Sequence, residues 1–144
     1  MIRPYADADL DDLLDAWYPA SREAHPFLGE DFLDTERTQI SDQFLPASET
    51  WVFEIDARVV GLVSLLANEV DGVFIASAHQ NEGIGRALVD HVAATRPYLE
   101  LEVFEANTIG RRFYHAYGFR AASGGFDEAT GHPAIQLRFD CIPA

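Results

Sequence analysis

The chain predicts a mixed α/β fold, with a mostly antiparallel central sheet of about six to seven strands flanked by about four helices. Three observations carry that expectation. Apolar residues switch between a period of two and helical spacing in the order strand, two helices, three strands, helix, strand, helix, two strands. An apolar run at Phe74-Ile75-Ala76 leads through a polar, glycine-bearing turn into a helical pattern at Ile84, Ala87, Leu88, His91 and Val92, the layout of a strand, a turn and a helix N-terminus. Finally, 144 residues with 48% apolar content are enough for one domain spanning residues 1–144. Such a domain buries roughly 70% of its unfolded surface without staples.

Taken in order, Met1 to Pro4 is a short edge strand, and Asp7-Ala8-Asp9 offers N-cap oxygens before Leu10, Leu13, Leu14 and Trp17 fall at helical spacing. Pro19 is expected to limit how far that helix runs unbroken. After a break at His25-Pro26, a second helix covers Gly29 to Phe44. Thr50 to Asp56 places Trp51, Phe53 and Ile55 on one face of a half-buried strand. Asp56-Ala57-Arg58 turns the chain, and Val59 to Leu66 returns as the hairpin partner. Glu69 to Ile75 is the strand that delivers the chain to the turn, and the helix beyond reaches about Ala94. Leu99, Leu101 and Val103 alternate with Glu100 and Glu102 in a further strand. Asn107 to Tyr117 is a helix with Ile109, Phe113 and Ala116 on one side and Gly118 placed to end it. From Phe119 to Phe139 two final strands follow, joined by a loop around Ser123-Gly124-Gly125 to His132-Pro133.

The turn Gln80-Asn81-Glu82-Gly83-Ile84-Gly85-Arg86 is an anion site in outline. The first turn of a helix has N–H groups without internal partners and a partial positive charge, and glycines let that backbone come close to a phosphate. A dinucleotide loop requires a third glycine where Leu88 stands, and a nucleoside-triphosphate loop ends in Gly-Lys-Ser/Thr, whereas this chain has no lysine. What remains, Gln-x-x-Gly-x-Gly, resembles the pyrophosphate-binding motif of the GNAT N-acetyltransferase superfamily. A second segment, Asn107 followed by Phe113-Tyr114-His115-Ala116-Tyr117-Gly118-Phe119, is similar to that superfamily's Asn, helix and Phe-Tyr-x-x-x-Gly-Phe. Together, in this order, they are far more specific than either alone. The likeness runs along essentially the whole chain. It is closest to small, bacterial-type, single-domain members, in which an early Trp and a His-x-Phe-like segment, here Trp17 and His25-Pro26-Phe27, accompany the motifs.

The resemblance implies acetyl-CoA as co-substrate. The backbone of Phe74 and Ile75 would bond the pantetheine arm, N–H groups of Gln80, Asn81, Gly83, Ile84, Gly85 and Arg86 would hold the pyrophosphate, and Asn107 would contact the cofactor from the neighbouring strand end. Where the family often has proline and alanine, this chain has Ser77 and Gly110. Gly110 inside a helix costs on the order of 1 kcal/mol against alanine, and close approach to the cofactor is the expected compensation.

Acetyl transfer to an amine requires a neutral nucleophile, stabilisation of the oxyanion and a proton for the departing thiolate. By resemblance, Tyr114 donates a proton to the leaving sulfur, which a phenol protonated near neutral pH suits, with a core aromatic as the ordinary alternative, and the backbone N–H near Ile75 polarises the thioester carbonyl. Glu69, at the start of the cofactor strand, is the candidate base, with Asp71 and Glu102 as competitors. Trp17, His25, Phe27, Asp71 and Glu102 are the candidates for the acceptor pocket. For Trp17 the ordinary alternative is a core aromatic, and for His25 a polar surface group.

A formal charge of −14 argues against nucleic acid and fits cationic small molecules or simple solubility. No apolar run is long enough to span a bilayer, and Met1-Ile2-Arg3-Pro4-Tyr5 lacks a signal-peptide core, so a cytoplasmic protein is expected. The one cysteine, Cys141, lies outside every motif, which excludes an acyl-enzyme on sulfur, and no cluster has metal-ligand spacing. The expectation is therefore an acetyl-CoA-dependent N-acetyltransferase using direct attack by a primary amine, with the final strands or the hairpin as a possible homodimer edge. The alternative is a non-catalytic acyl-CoA-binding or regulatory module.

Overall fold

The computed structural model describes residues 1–127 and 130–141. Its strands are β1 (Ile2–Pro4), β2 (Glu49–Ile55), β3 (Arg58–Leu66), β4 (Glu69–Ile75), β5 (Tyr98–Phe104), β6 (Arg120–Phe126) and β7 (Pro133–Asp140). They form one sheet in the order β1-β2-β3-β4-β5-β7-β6, antiparallel throughout except where β4 meets β5. The helices are α1 (Leu10–Ala24), α2 (Glu30–Gln39), α3 (Leu45–Ala47), α4 (Ile84–Ala93) and α5 (Thr108–Tyr117). This is the expected mixed α/β architecture. Its edges among the described residues are β1 and β6, so the β2–β3 hairpin is interior and offers no free edge.

Two clusters form the core. Val63, Leu65, Val70, Leu88, Val89, Val92, Leu99 and Leu101 join β3, β4 and β5 to α4. Leu13, Val52, Val59 and Leu62 lie where α1 covers β2 and β3. Helices thus cover the sheet on both sides, and this corrects the reading of β2. Thr50 and Val52 are its buried residues, while Trp51, Phe53 and Ile55 are only partly buried against the larger cluster.

Three further expectations change. α1 continues through Pro19 to Ala24, because both Pro19 and Asp15, whose carbonyl loses its helical partner, face solvent. The Asp9 carboxylate does not cap α1. It accepts from the Ala6 N–H at 2.8 Å and grips Arg3 at 2.7 and 2.8 Å, and Arg3 also holds Glu54, tying β1 to the start of α1. Ser123-Gly124-Gly125 belong to β6 rather than to a loop. The second helix keeps its expected span by a change of winding, with a wide π-type turn over Ile40–Phe44 joining α2 to α3.

The feature that positions the site is a bulge. Leu65 pairs with Val70 and Ser64 with Gly72, which leaves Asp71 as an extra residue on β4. An extra residue bends the strand and shifts its side-chain alternation. Val70 therefore packs in the larger cluster, yet beyond the bulge it is Val73 and Ile75 that face that cluster, and Phe74 turns to α1. The parallel ladder with β5 stops at the same place, pairing only Glu69 with Glu100 and Val70 with Leu101. From Asp71 onward β4 and β5 part, and the gap is the mouth of a cleft.

Candidate active site

The cleft has a volume of about 1320 Å³ and runs along β4 between the α1–α2 segment and the α4–α5 pair. Phe74, Ile75, Gln80, Asn81, Gly83, Ile84, Gly85, Arg86, Asn107 and Tyr114 all line it, as do Trp17, His25, Glu69, Asp71 and Glu102. Phe27 does not. Its ring packs edge-on against His25, Phe104 and His132, with centroids 5.9, 5.4 and 4.9 Å away, and so acts behind the wall. Trp17 is both core and wall, 4% exposed and edge-on to Phe74.

At one end of the cleft, Asn81 (φ 65°) and Gly83 (φ 83°) adopt left-handed conformations that turn the chain into α4. No side chain caps this helix. Its first N–H groups therefore keep their capacity for an anion, in contrast to α5, which Asn107 caps. Gln80 braces the turn by donating to the Ile75 carbonyl at 3.3 Å and to Glu23 of α1 at 3.4 Å. Gly85 lets the two helices pack closely: a Cβ there would stand 3.0 Å from the Phe113 ring of α5, which would have to shift. Arg86 is exposed, its guanidinium 5.5 Å from the Tyr117 ring, and no ion pair holds it among the described residues.

Tyr114 is 8% exposed, and burial pushes its phenol well above the usual tyrosine range, partly opposed by a hydrogen bond from the Val73 backbone. The phenol thus reaches β4 just past the bulge, in the gap that β5 vacates. Its proton is held at any working pH.

Asn107, 6% exposed, begins α5. Its Oδ1 accepts from the Gly110 N–H at 2.8 Å and its Nδ2 faces His25 Nε2 at 3.2 Å. A Cβ at Gly110 would overlap the Asn107 amide. The glycine is thus explained by the cap, and the expected compensation through the cofactor is not needed. His25 is no surface histidine. Burial lowers its pKa to about 4, and its ring lies edge-on to Phe104 at 5.1 Å.

The other end of the cleft is acidic. Desolvation raises Asp71, opposed by a hydrogen bond from Ser48 and reinforced by the charge of Glu69. Desolvation also raises Glu102, followed by a hydrogen bond and charge shared with Asp127. Glu36 on α2 is raised by burial and by Asp127. Sequence reasoning did not find Glu36 or Asp127. Glu36 sits in a helix with a ragged apolar pattern and Asp127 in a connection without a motif, so only the tertiary fold brings them to this wall.

The model of the acetyltransferase (GNAT) domain matches residues 46–121, more than half of the chain and both motif segments. The chain belongs to the GNAT acetyltransferases. Within that family it is 29% identical over 134 residues to the peptidyl-lysine N-acetyltransferase YiaC of Escherichia coli K12, covering 92% of each chain. It is 30% identical over 122 residues to the peptidyl-lysine N-acetyltransferase YjaB of Salmonella typhimurium, covering 84% of this chain and 83% of that one. The solution structure of apo YjaB from Escherichia coli matches this GNAT fold with a TM-score of 0.85 at 25% identity, over 96% of each chain.

Proposed function

We propose that this acetyl-CoA-dependent acetyltransferase transfers the acetyl group to a primary amine by direct attack within a ternary complex. The observation that carries the reading is the buried Tyr114 phenol in the β4–β5 gap, in one cleft with the uncapped N-terminus of α4. The uncapped turn holds the pyrophosphate, assisted by Arg86. Past Asp71 the β4 backbone is released from β5; Phe74 pairs with Leu62 of β3, so Ile75, whose backbone faces the other way, is the residue free to bond the pantetheine arm. The acceptor amine enters from the carboxylate end.

The neutral amine nitrogen attacks the thioester carbonyl carbon, so that a C–N bond forms and the C–S bond breaks. The backbone N–H near Ile75 supports the oxyanion. The nitrogen gives up its extra proton to a relay of waters along β4 that ends at Glu69, and the sulfur leaves as thiolate. A phenol pushed above its ordinary value is a weaker acid than a thiol, so Tyr114 stabilises the developing thiolate chiefly by donating a hydrogen bond, and a solvent proton completes the thiol.

The names of the peptidyl-lysine acetyltransferases it resembles make a lysine side chain the first acceptor to try, beside free diamines. The experiment is calorimetric titration with acetyl-CoA, then an amine screen that follows released thiol. Tyr114→Phe should lower kcat by about 10²-fold or more while leaving the Kd for acetyl-CoA within threefold. Unchanged turnover would remove Tyr114 from the chemistry. Selective binding with no transfer to any amine would favour a non-catalytic acyl-CoA-binding module.

A further inference from the structure

His25 caps the C-terminus of α1, on the acceptor side, yet its ring reaches Asn107, the N-cap of the cofactor-side helix α5. The Asn107 amide has only one orientation that satisfies α5, because the Gly110 N–H is a donor and must meet Oδ1. Nδ2 therefore faces the imidazole, and a donor there requires an unprotonated Nε2. The ring must be neutral with its proton on Nδ1. Its burial against Phe27 and Phe104 favours the neutral form and restricts its rotation. The amide has one more N–H, and it meets no protein acceptor among the described residues while Asn107 lines the cleft.

We propose that His25 is a positioning residue: it accepts from one Asn107 N–H, so that the second is fixed as a donor toward an amide carbonyl of the acetyl-CoA arm. The Nε2 lone pair is then committed, and His25 does not act as the general base. Without the imidazole, Nδ2 loses its partner and the amide is free to turn, exchanging a preset donor for one that must be ordered on binding. The inference rests on the acetyl-CoA reading above and adds a residue from the acceptor side to the cofactor site.

The test compares wild type, His25→Leu and His25→Gln, titrated with acetyl-CoA, together with long-range ¹⁵N correlation of the histidine rings in the wild type. A lost, pre-ordered hydrogen bond predicts about tenfold weaker binding for the leucine variant. Gln, whose Oε1 is an acceptor without charge, should restore affinity to within about threefold. The wild-type ring should show a bare Nε2 and a protonated Nδ1. Equal affinity of Leu and wild type, equal loss for Leu and Gln, or a protonated Nε2 each overturns the proposal. The ring measurement needs no variant, so it decides even where the leucine protein does not fold. Wild type that fails to bind acetyl-CoA overturns the functional reading itself, a result distinct from binding that is indifferent to residue 25.

Discussion

Acidification should destabilise the protein through His25, and the size of the effect follows from its burial. The folded ring titrates at about 4 against 6.5 for an ordinary histidine, and desolvation is the cause. Between those values the unfolded chain binds a proton that the folded chain refuses, so stability rises with pH in this window and falls as the pH drops from 6.5 toward 4. Linkage between the two values gives a contribution near zero at pH 7.5 and a loss of about 2 kcal/mol at pH 5.0, out of roughly 5–15 kcal/mol for a typical domain. His25→Gln keeps an acceptor for Asn107 and removes the titration. The assay is urea unfolding of both proteins at pH 7.5, 6.5, 5.5 and 5.0, above the isoelectric region of so acidic a chain. The carboxylates cancel in the difference between the two proteins. That difference should move by about 2 kcal/mol toward the variant as the pH falls. A difference that stays constant within about 0.5 kcal/mol would refute a buried, neutral His25.

Two other outcomes follow from the site. Gly110→Ala would ordinarily stabilise a helix by about 1 kcal/mol, but here it should destabilise by a similar amount because the new methyl displaces the Asn107 cap. In an Asn107→Ala background the same change should become stabilising, and urea midpoints of the four proteins read that reversal. Glu69→Gln should lower kcat/KM about 10–100-fold, with Asp71→Asn and Glu102→Gln costing less than about fivefold. A larger loss at Glu102 would move the base to β5.

The order of elements was legible because period-two and helical patterns are local, and so was the strand, turn and helix start from Phe74 to Arg86, whose glycine at Gly83 meets a local backbone requirement. The fate of Gly110 was not legible. A glycine in a helix advertises close approach, and only the rotamer of Asn107 shows that its own cap is what approaches. Nor was it legible which of its two readings, pocket wall or surface group, His25 would take. A loop histidine beside proline reads as surface, but Phe27 two residues on and Phe104 from β5 close over it, and it lines the cleft. The bulge at Asp71 was invisible because the run Glu69 to Ile75 alternates equally well with or without a shift in register, and pairing with β3 alone decides it. That one residue determines where β4 leaves β5.

The distribution of charge along β4 adds a step that the net charge does not supply. The strand runs from Glu69 to Ile75, roughly 20 Å at the usual rise per residue. At its start stand Glu69, Asp71 and Glu102. Past its end lie the uncapped turn of α4 and Arg86, with Arg112 of α5 also on the cleft. Most other arginines are engaged, as Arg3 is by Asp9 and Glu54, Arg96 by Glu49, and Arg138 by Glu100 and Asp140. Cationic capacity is thus kept for the end of the cleft that an anionic acyl donor would use, and carboxylates for the end that an amine would use. Two substrates of opposite charge entering from opposite ends meet near Ile75 and Tyr114, where the strands have parted. Desolvation there strengthens each oriented dipole. The same field would hold an ammonium ion in its unreactive form, so a carboxylate that takes the proton is needed at that end.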